Sequence, residues 1–149
     1  MTLFAGVRVL DLSRMLAGPF GAMLMADLGA EVIKIEDPEG GDPMRQMGPP
    51  FLPGGESAYF LSINRNKKSV ALDLTQPAGR EVFLDLARVA DVVWDNFRPG
   101  ILERLGCPHA RLHELNPRLI CCSISAFGQA GPYRDWPAFD LALQAMGAA

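Results

Sequence analysis

The chain has 149 residues, with 14 basic against 17 acidic side chains for a net charge of -3, and it is 49% hydrophobic and 21% charged. That composition excludes a disordered chain, gives no electrostatic basis for a nucleic-acid partner, and at one domain's length allows roughly 70% of the unfolded surface to be buried. No apolar run approaches the ~18 residues of a membrane span, and Arg8 and Asp11 precede any stretch that could serve as a signal peptide; a cytoplasmic location is expected, with Cys107, Cys121 and Cys122 as reduced structural thiols.

Residues 7–12 read as a short apolar strand, residues 19–28 as a helix stopped by Gly29, and residues 32–36 as a second strand. This is a βαβ unit, whose brief apolar strands are expected to lie parallel, joined by a right-handed crossover, in a sheet covered on both faces. Residues 37–55, rich in Gly and Pro, form a long irregular loop of the kind that is usually functional or mobile. Residues 69–74 supply a third strand. The helix after it has Thr75 as N-cap, Pro77 in its first turn and an apolar face of Val82, Phe83, Leu86 and Ala87. Residues 92–94 and 119–124 complete the strands. The fold class is therefore α/β, a Rossmann-like parallel sheet with flanking helices, and residues 1–149 are expected to be one domain without repeats or linkers. From Pro137 onward, Phe139, Leu141, Leu143 and Met146 describe an apolar helix still in progress at Ala148-Ala149, which reads as a chain cut short at its C-terminus.

Chemistry concentrates on two strand-end loops. The run Asp95-Asn96-Phe97-Arg98-Pro99-Gly100, followed by Ile101-Leu102-Glu103-Arg104-Leu105-Gly106, places an amide, an aromatic ring and two guanidinium groups just after a strand. In an open α/β sheet, ligands bind at the carboxyl ends of the strands, and Arg is the side chain best shaped to grip phosphate. Phe97 offers a stacking face for a purine, Asn96 amide donors, and Arg104 a fork for phosphate oxygens. A second block, from Val9-Leu10-Asp11-Leu12 to Ala17-Gly18-Pro19, repeats the arrangement at the first strand. A dinucleotide site is disfavoured: Ala17-Gly18-Pro19-Phe20-Gly21 lacks the glycine spacing that lets a pyrophosphate approach, and Glu36 reads as a solvated strand end. His109 and His113 stand four apart without further convergent ligands, so they read as solvated surface side chains and no metal is expected. Neither Ser13 nor Ser125 lies in a nucleophile elbow.

An ordered series of motifs carries a resemblance: Gly6-Val7-Arg8-Val9-Leu10-Asp11, Ala17-Gly18-Pro19, Leu28-Gly29-Ala30-Glu31-Val32-Ile33-Lys34-Ile35-Glu36, Gly41-Asp42, Asn64-Arg65-Asn66-Lys67-Lys68-Ser69, Leu72-Asp73-Leu74, the 96–106 run, Leu115-Asn116-Pro117-Arg118 and Gly128-Gln129-x-Gly131-Pro132-Tyr133. Together they resemble the class III CoA-transferase family, which includes formyl-CoA transferase, carnitine CoA-transferase and α-methylacyl-CoA racemase. The resemblance implies coenzyme A, bound as an acyl-CoA substrate on the N-terminal CoA-binding domain, a carboxylic acid as second substrate, and an interlocked homodimer for the full-length form. It implies CoA adenine and ribose near Leu72, Asp73, Leu74, Asn96 and Phe97, with Arg98 beside them and Arg104 on the phosphates. Asp37 stands where some relatives carry a second phosphate-binding Arg. Met15 and Leu16 fall where the family lines the acyl end of the pocket, with Phe139 and Asp140 next to it. The implied reaction uses an Asp carboxylate as nucleophile on the thioester, in a segment after residue 149; Asp140 is not that residue. Relatives that racemise 2-methylacyl-CoA thioesters carry a proton-shuttling His where this chain has Phe139, so the resemblance favours transfer over racemisation. The other alternative is a CoA-binding or partner-pairing module without turnover.

Overall fold

The computed structural model describes residues 2–137 and 139–147. Five short strands, β1 (Arg8–Asp11), β2 (Glu31–Glu36), β3 (Lys67–Ala71), β4 (Val92–Asp95) and β5 (Ile120–Ser123), make one sheet in the order β3-β2-β1-β4-β5, and every pairing is parallel. The helices are α1 (Ala17–Asp27), α2 (Ala58–Asn64), α3 (Pro77–Arg88), the single turn α4 (Ile101–Arg104), α5 (His109–Leu115) and α6 (Asp140–Gly147). This is the Rossmann-like α/β sheet expected from the sequence.

Successive residues of a strand point to opposite faces, and both faces are covered here. Val9 packs with Ala22 and Ala26 of α1 and with Val32 and Val92. Its neighbour Leu10 packs on the other face with Phe83 and Ala87 of α3, Val93, Leu102 and Leu112. Strands buried on both sides carry apolar residues in succession rather than in strict alternation, as Val9-Leu10, Val32-Ile33 and Val92-Val93 do in β1, β2 and β4. Helix α1 approaches β4 closely at Gly21, where a Cβ would stand 2.7 Å from the Trp94 ring.

Several boundaries differ from expectation. Strand β3 begins at Lys67 and ends at Ala71; the Leu72 amide still donates to the Glu36 carbonyl at 2.9 Å, and the chain turns from Leu74. The N-cap of α3 is Gln76 rather than Thr75, whose hydroxyl instead donates to Asp73 Oδ1 at 2.6 Å. Phe83 and Ala87 are fully buried as expected, whereas Val82 is exposed. The long loop contains a 3-10 turn (Pro43–Gln46) capped by the Asp42 side chain, which accepts from the Met44 amide at 3.0 Å. Helix α2 follows, with the Ser57 hydroxyl accepting from the Phe60 amide at 3.1 Å. Helix α6 forms from the apolar pattern after Pro137, but none of its described side chains is buried. Ala138 and the Ala148-Ala149 pair, on which the reading of a cut chain rested, lie outside the described residues. Among the described residues no helix is long and apolar enough to cross a membrane.

Candidate functional site

The crossover leaving β1 runs to β2 and the one leaving β4 runs to β5, in opposite directions along the sheet, so the loops after β1 and β4 diverge and leave a crevice, the usual ligand position in such sheets. Here the crevice is a cleft across the carboxyl ends of four strands. Leu12 and Arg14 line it from the loop after β1, Glu36 and Asp37 from the end of β2, residues 72–75 from the loop after β3, and Phe97 from the loop after β4. Leu105, directly after α4, closes one side.

The loop after β1 is held from four directions. Asp11, fully buried, accepts from both the amide and the hydroxyl of Ser13. Lys34 Nζ donates to the Ser13 carbonyl at 2.7 Å. Asn96 accepts from the Arg14 amide at 2.8 Å and donates to the Arg14 carbonyl at 2.7 Å. Asp42 accepts from the Met15 amide at 3.3 Å. Met15 itself sits at φ 70, a left-handed conformation that a non-glycine residue keeps only when its surroundings fix it.

Beneath this loop lie two buried ion pairs. Lys34 Nζ is 2.9 Å from Asp42, and Lys67 Nζ is 2.8 Å from Asp11, all four side chains being almost wholly inaccessible. Lys67 also donates to the Pro19 carbonyl and the Asn64 side chain, which completes the hydrogen bonding a buried ammonium needs. Burial holds the Lys67 ammonium below its ordinary pKa despite the Asp11 carboxylate.

Glu36 is not the solvated strand end that the sequence indicated. It is buried, receives two hydrogen bonds from Arg45 at 2.7 and 2.6 Å and others from Ser69 and the Asp42 amide. Burial pushes its carboxyl up, but these donors outweigh it and hold it at about 2. Arg45 in turn lies over the Phe60 ring at 3.9 Å.

Asp95 organises the second loop. Its carboxylate accepts from the Phe97 amide at 3.0 Å and from the Ser123 hydroxyl at 2.5 Å, and His109 Nε2 stands 3.8 Å away. Burial raises its pKa, and the Ser123 hydrogen bond opposes the rise. His109 is therefore a half-buried partner of the Asp95–Ser123 pair, not a solvated side chain; His113 is exposed.

Of the sequence-derived candidates, Leu72, Asp73, Leu74 and Phe97 come together in the cleft. Asn96 lies beside it with its amide committed to the Arg14 backbone. Met15 and Leu16 are exposed on the loop after β1. Arg98 lines a neighbouring hollow with Asp95, His109 and Ser123. Arg104 is exposed at the end of α4, next to the cleft-lining Leu105. Phe139 and Asp140 are exposed at the start of α6, where Asp140 accepts from Gln144 at 2.7 Å, and neither lines the cleft. Sequence reasoning missed Arg14, whose guanidinium lies 5.6 Å from the Phe97 ring centroid, and the Lys34–Asp42 and Lys67–Asp11 pairs. A lysine in the middle of an apolar strand was the available signal for Lys34. Among the described residues no group of three His, Cys, Asp or Glu side chains converges as a metal site would require.

The chain is 48% identical over 143 residues to an acetyl-CoA:oxalate CoA-transferase of Acetobacter aceti, covering 96% of this chain and 36% of that protein. It is 47% identical over 141 residues to a succinyl-CoA:glutarate CoA-transferase of Homo sapiens, covering 95% of this chain and 32% of that protein. The chain thus spans about a third of the length of these curated relatives. Among solved structures it resembles a CAIB/BAIF family protein from Brucella suis, with a TM-score of 0.94 and 43% identity over 99% of this chain and 39% of that one. The model of CoA-transferase family III matches residues 4–149, and the chain belongs to that family.

Proposed function

We propose that this chain is the N-terminal CoA-binding domain of an acyl-CoA:carboxylate CoA-transferase, and that residues 72–74 and Phe97 hold the nucleotide end of CoA. The observation that carries this reading is the cleft itself. Apolar Leu72 and Leu74 and the Phe97 ring share it with the Asp37 and Asp73 carboxylates at the carboxyl ends of parallel strands, a surface suited to a base and its ribose hydroxyls. Hydrogen bonds from the Thr75 hydroxyl and amide keep Asp73 below the usual carboxylate range, so it is an ionised acceptor near neutral pH. Arg98 and Arg104 stand nearby for the phosphates, and Met15 and Leu16 extend the site toward the acyl end.

In the reaction proposed, CoA passes between an acyl-CoA thioester and a free carboxylic acid. An Asp carboxylate outside residues 1–149 attacks the thioester carbonyl and displaces CoA as thiolate, giving an acyl anhydride; the thiolate then attacks the anhydride at the aspartyl carbonyl and releases the first acid. The second acid reverses these steps. The names of the relatives support transfer between acyl-CoA and carboxylate substrates, and Phe139 offers no group for the proton transfer of a racemase. The longer form is read as a cytoplasmic homodimer.

Calorimetric titration of CoA into the chain, alongside Phe97→Ala, tests the binding half of this reading. Saturable binding that weakens about tenfold or more in Phe97→Ala is expected; no binding by a chain that circular dichroism shows to be folded would overturn it.

A further inference from the structure

We propose that Arg14 is the phosphate anchor of the cleft, parked on the Phe97 ring in the free chain and exchanging that ring for phosphate when a nucleotide-bearing ligand enters. The inference rests on the CoA reading above and identifies a binding residue for the same site. Three observations carry it.

Charge comes first. Among the described residues that line the cleft, Arg14 is the single cation, while Asp37 and Asp73 contribute carboxylates in addition to Glu36, whose charge Arg45 offsets. A polyphosphate entering there meets net repulsion unless a cation reaches it. Of the other cations nearby, Arg45 is paired with Glu36, Lys34 with Asp42 and Lys67 with Asp11, and Arg98 lines the neighbouring hollow rather than the cleft. Among the described residues no carboxylate pairs with Arg14. Arg104 is exposed on α4 and does not line the cleft, and the position after Glu36 is Asp37.

Anchoring is the second. The Arg14 backbone is fixed on both sides by the Asn96 amide, so the base of the side chain is held while the guanidinium remains exposed and able to pivot. Such an arm loses little backbone entropy on gripping a ligand.

The third is what the guanidinium covers. It lies 5.6 Å from the Phe97 centroid, on the one aromatic ring lining the cleft, where a cation–π contact at an exposed site is weak enough to be exchanged. Arg forms bidentate contacts with phosphate oxygens, which are stronger. Moving to phosphate would leave the ring face open to a purine.

The test uses adenosine 3′,5′-bisphosphate and adenosine, which share the base and differ in phosphates, titrated by NMR into the chain, Arg14→Ala and Arg14→Lys, with CoA titrated calorimetrically in parallel. Arg14→Ala is expected to weaken CoA and the bisphosphate about tenfold to a hundredfold, to reduce the salt dependence of both, and to bind adenosine as well as or better than the unaltered chain. Arg14→Lys is expected to retain an intermediate phosphate affinity. Unchanged bisphosphate affinity in Arg14→Ala overturns the proposal. So does an equal loss for adenosine, which would make Arg14 a support of the loop. Failure of the unaltered chain to bind CoA or the bisphosphate would instead overturn the CoA reading itself.

Discussion

Asn96 and Arg14, 82 residues apart in sequence, exchange two hydrogen bonds, Asn96 Nδ2 to the Arg14 carbonyl at 2.7 Å and the Arg14 amide to Asn96 Oδ1 at 2.8 Å. The amide thereby locks the loop after β1 to the loop after β4, the two loops that flank the switch point of the sheet. Asn96→Ala removes both bonds and leaves two backbone groups to water. A stability loss of about 1–2 kcal/mol in urea unfolding is expected, together with weaker CoA binding in the folded variant. An Asn96→Ala chain that binds CoA as tightly as the unaltered one would show that the lock has no part in binding.

The buried pairs give a second expectation. Lys67→Met keeps the length of the side chain but leaves the Asp11 carboxylate buried without its counter-ion. Breaking such a pair from one side costs about 3–5 kcal/mol, measurable as a lowered urea midpoint. Because Asp11 also holds Ser13, amide exchange in the loop after β1 is expected to accelerate more than in α3.

Acid stability follows from Glu36. Its carboxyl is held at about 2 in the folded chain against an ordinary 4.5, so its contribution is present above about pH 4.5 and is lost as pH falls toward 2. Glu36→Gln is expected to flatten the pH dependence of unfolding free energy over that window, by up to about 3 kcal/mol between its ends. Glu31, also held at about 2 by Lys68 and Arg8, remains in the variant, so the difference between the two curves is the quantity to measure. Parallel curves would mean that Glu36 titrates alike in the folded and unfolded chains.

Gly79, in α3, sets two effects against each other. Alanine normally favours a helix interior by about 1 kcal/mol over glycine. Here a Cβ would stand 2.1 Å from the Asp73 carbonyl oxygen, a backbone atom of the loop that lines the cleft. Gly79→Ala is therefore expected to destabilise the chain despite its better propensity, and to shift the NMR signals of residues 72–75. A rise in melting temperature would show that the loop moves aside freely.

How far the sequence reveals this molecule depends on the range of the interaction. The runs that became β1, β2 and β4 each carry an apolar pair, Val9-Leu10, Val32-Ile33 and Val92-Val93, and could be read locally although charged residues flank or interrupt them. Strand β3 opens with Lys67 and Lys68, charged residues that hide its start, and Lys67 is in the sheet because Asp11 neutralises it from 56 residues away. Helix α2 lies directly after a Gly- and Pro-rich stretch that masks it, although Ser57 caps it. Leu72, Asp73, Leu74 and Phe97 came from motif order and share one cleft. Arg14 had no such motif. Its place over Phe97 exists only because β1 and β4 are neighbours, and a strand order is not written in any one segment. The same holds for His109, which looked solvated until β5 brought Ser123 beside Asp95.

The pairing of β1 with β4, Leu10 against Val93, closes a loop of more than eighty residues. Contacts of that separation are entropically slow to form, and the cleft's two central loops cannot meet before they do. Completion of the cleft is thus tied to the most non-local strand pairing, whereas β1, α1 and β2 can assemble from neighbouring segments. A ligand spanning both loops would stabilise the finished sheet over any partly folded form, slowing unfolding more than it speeds folding.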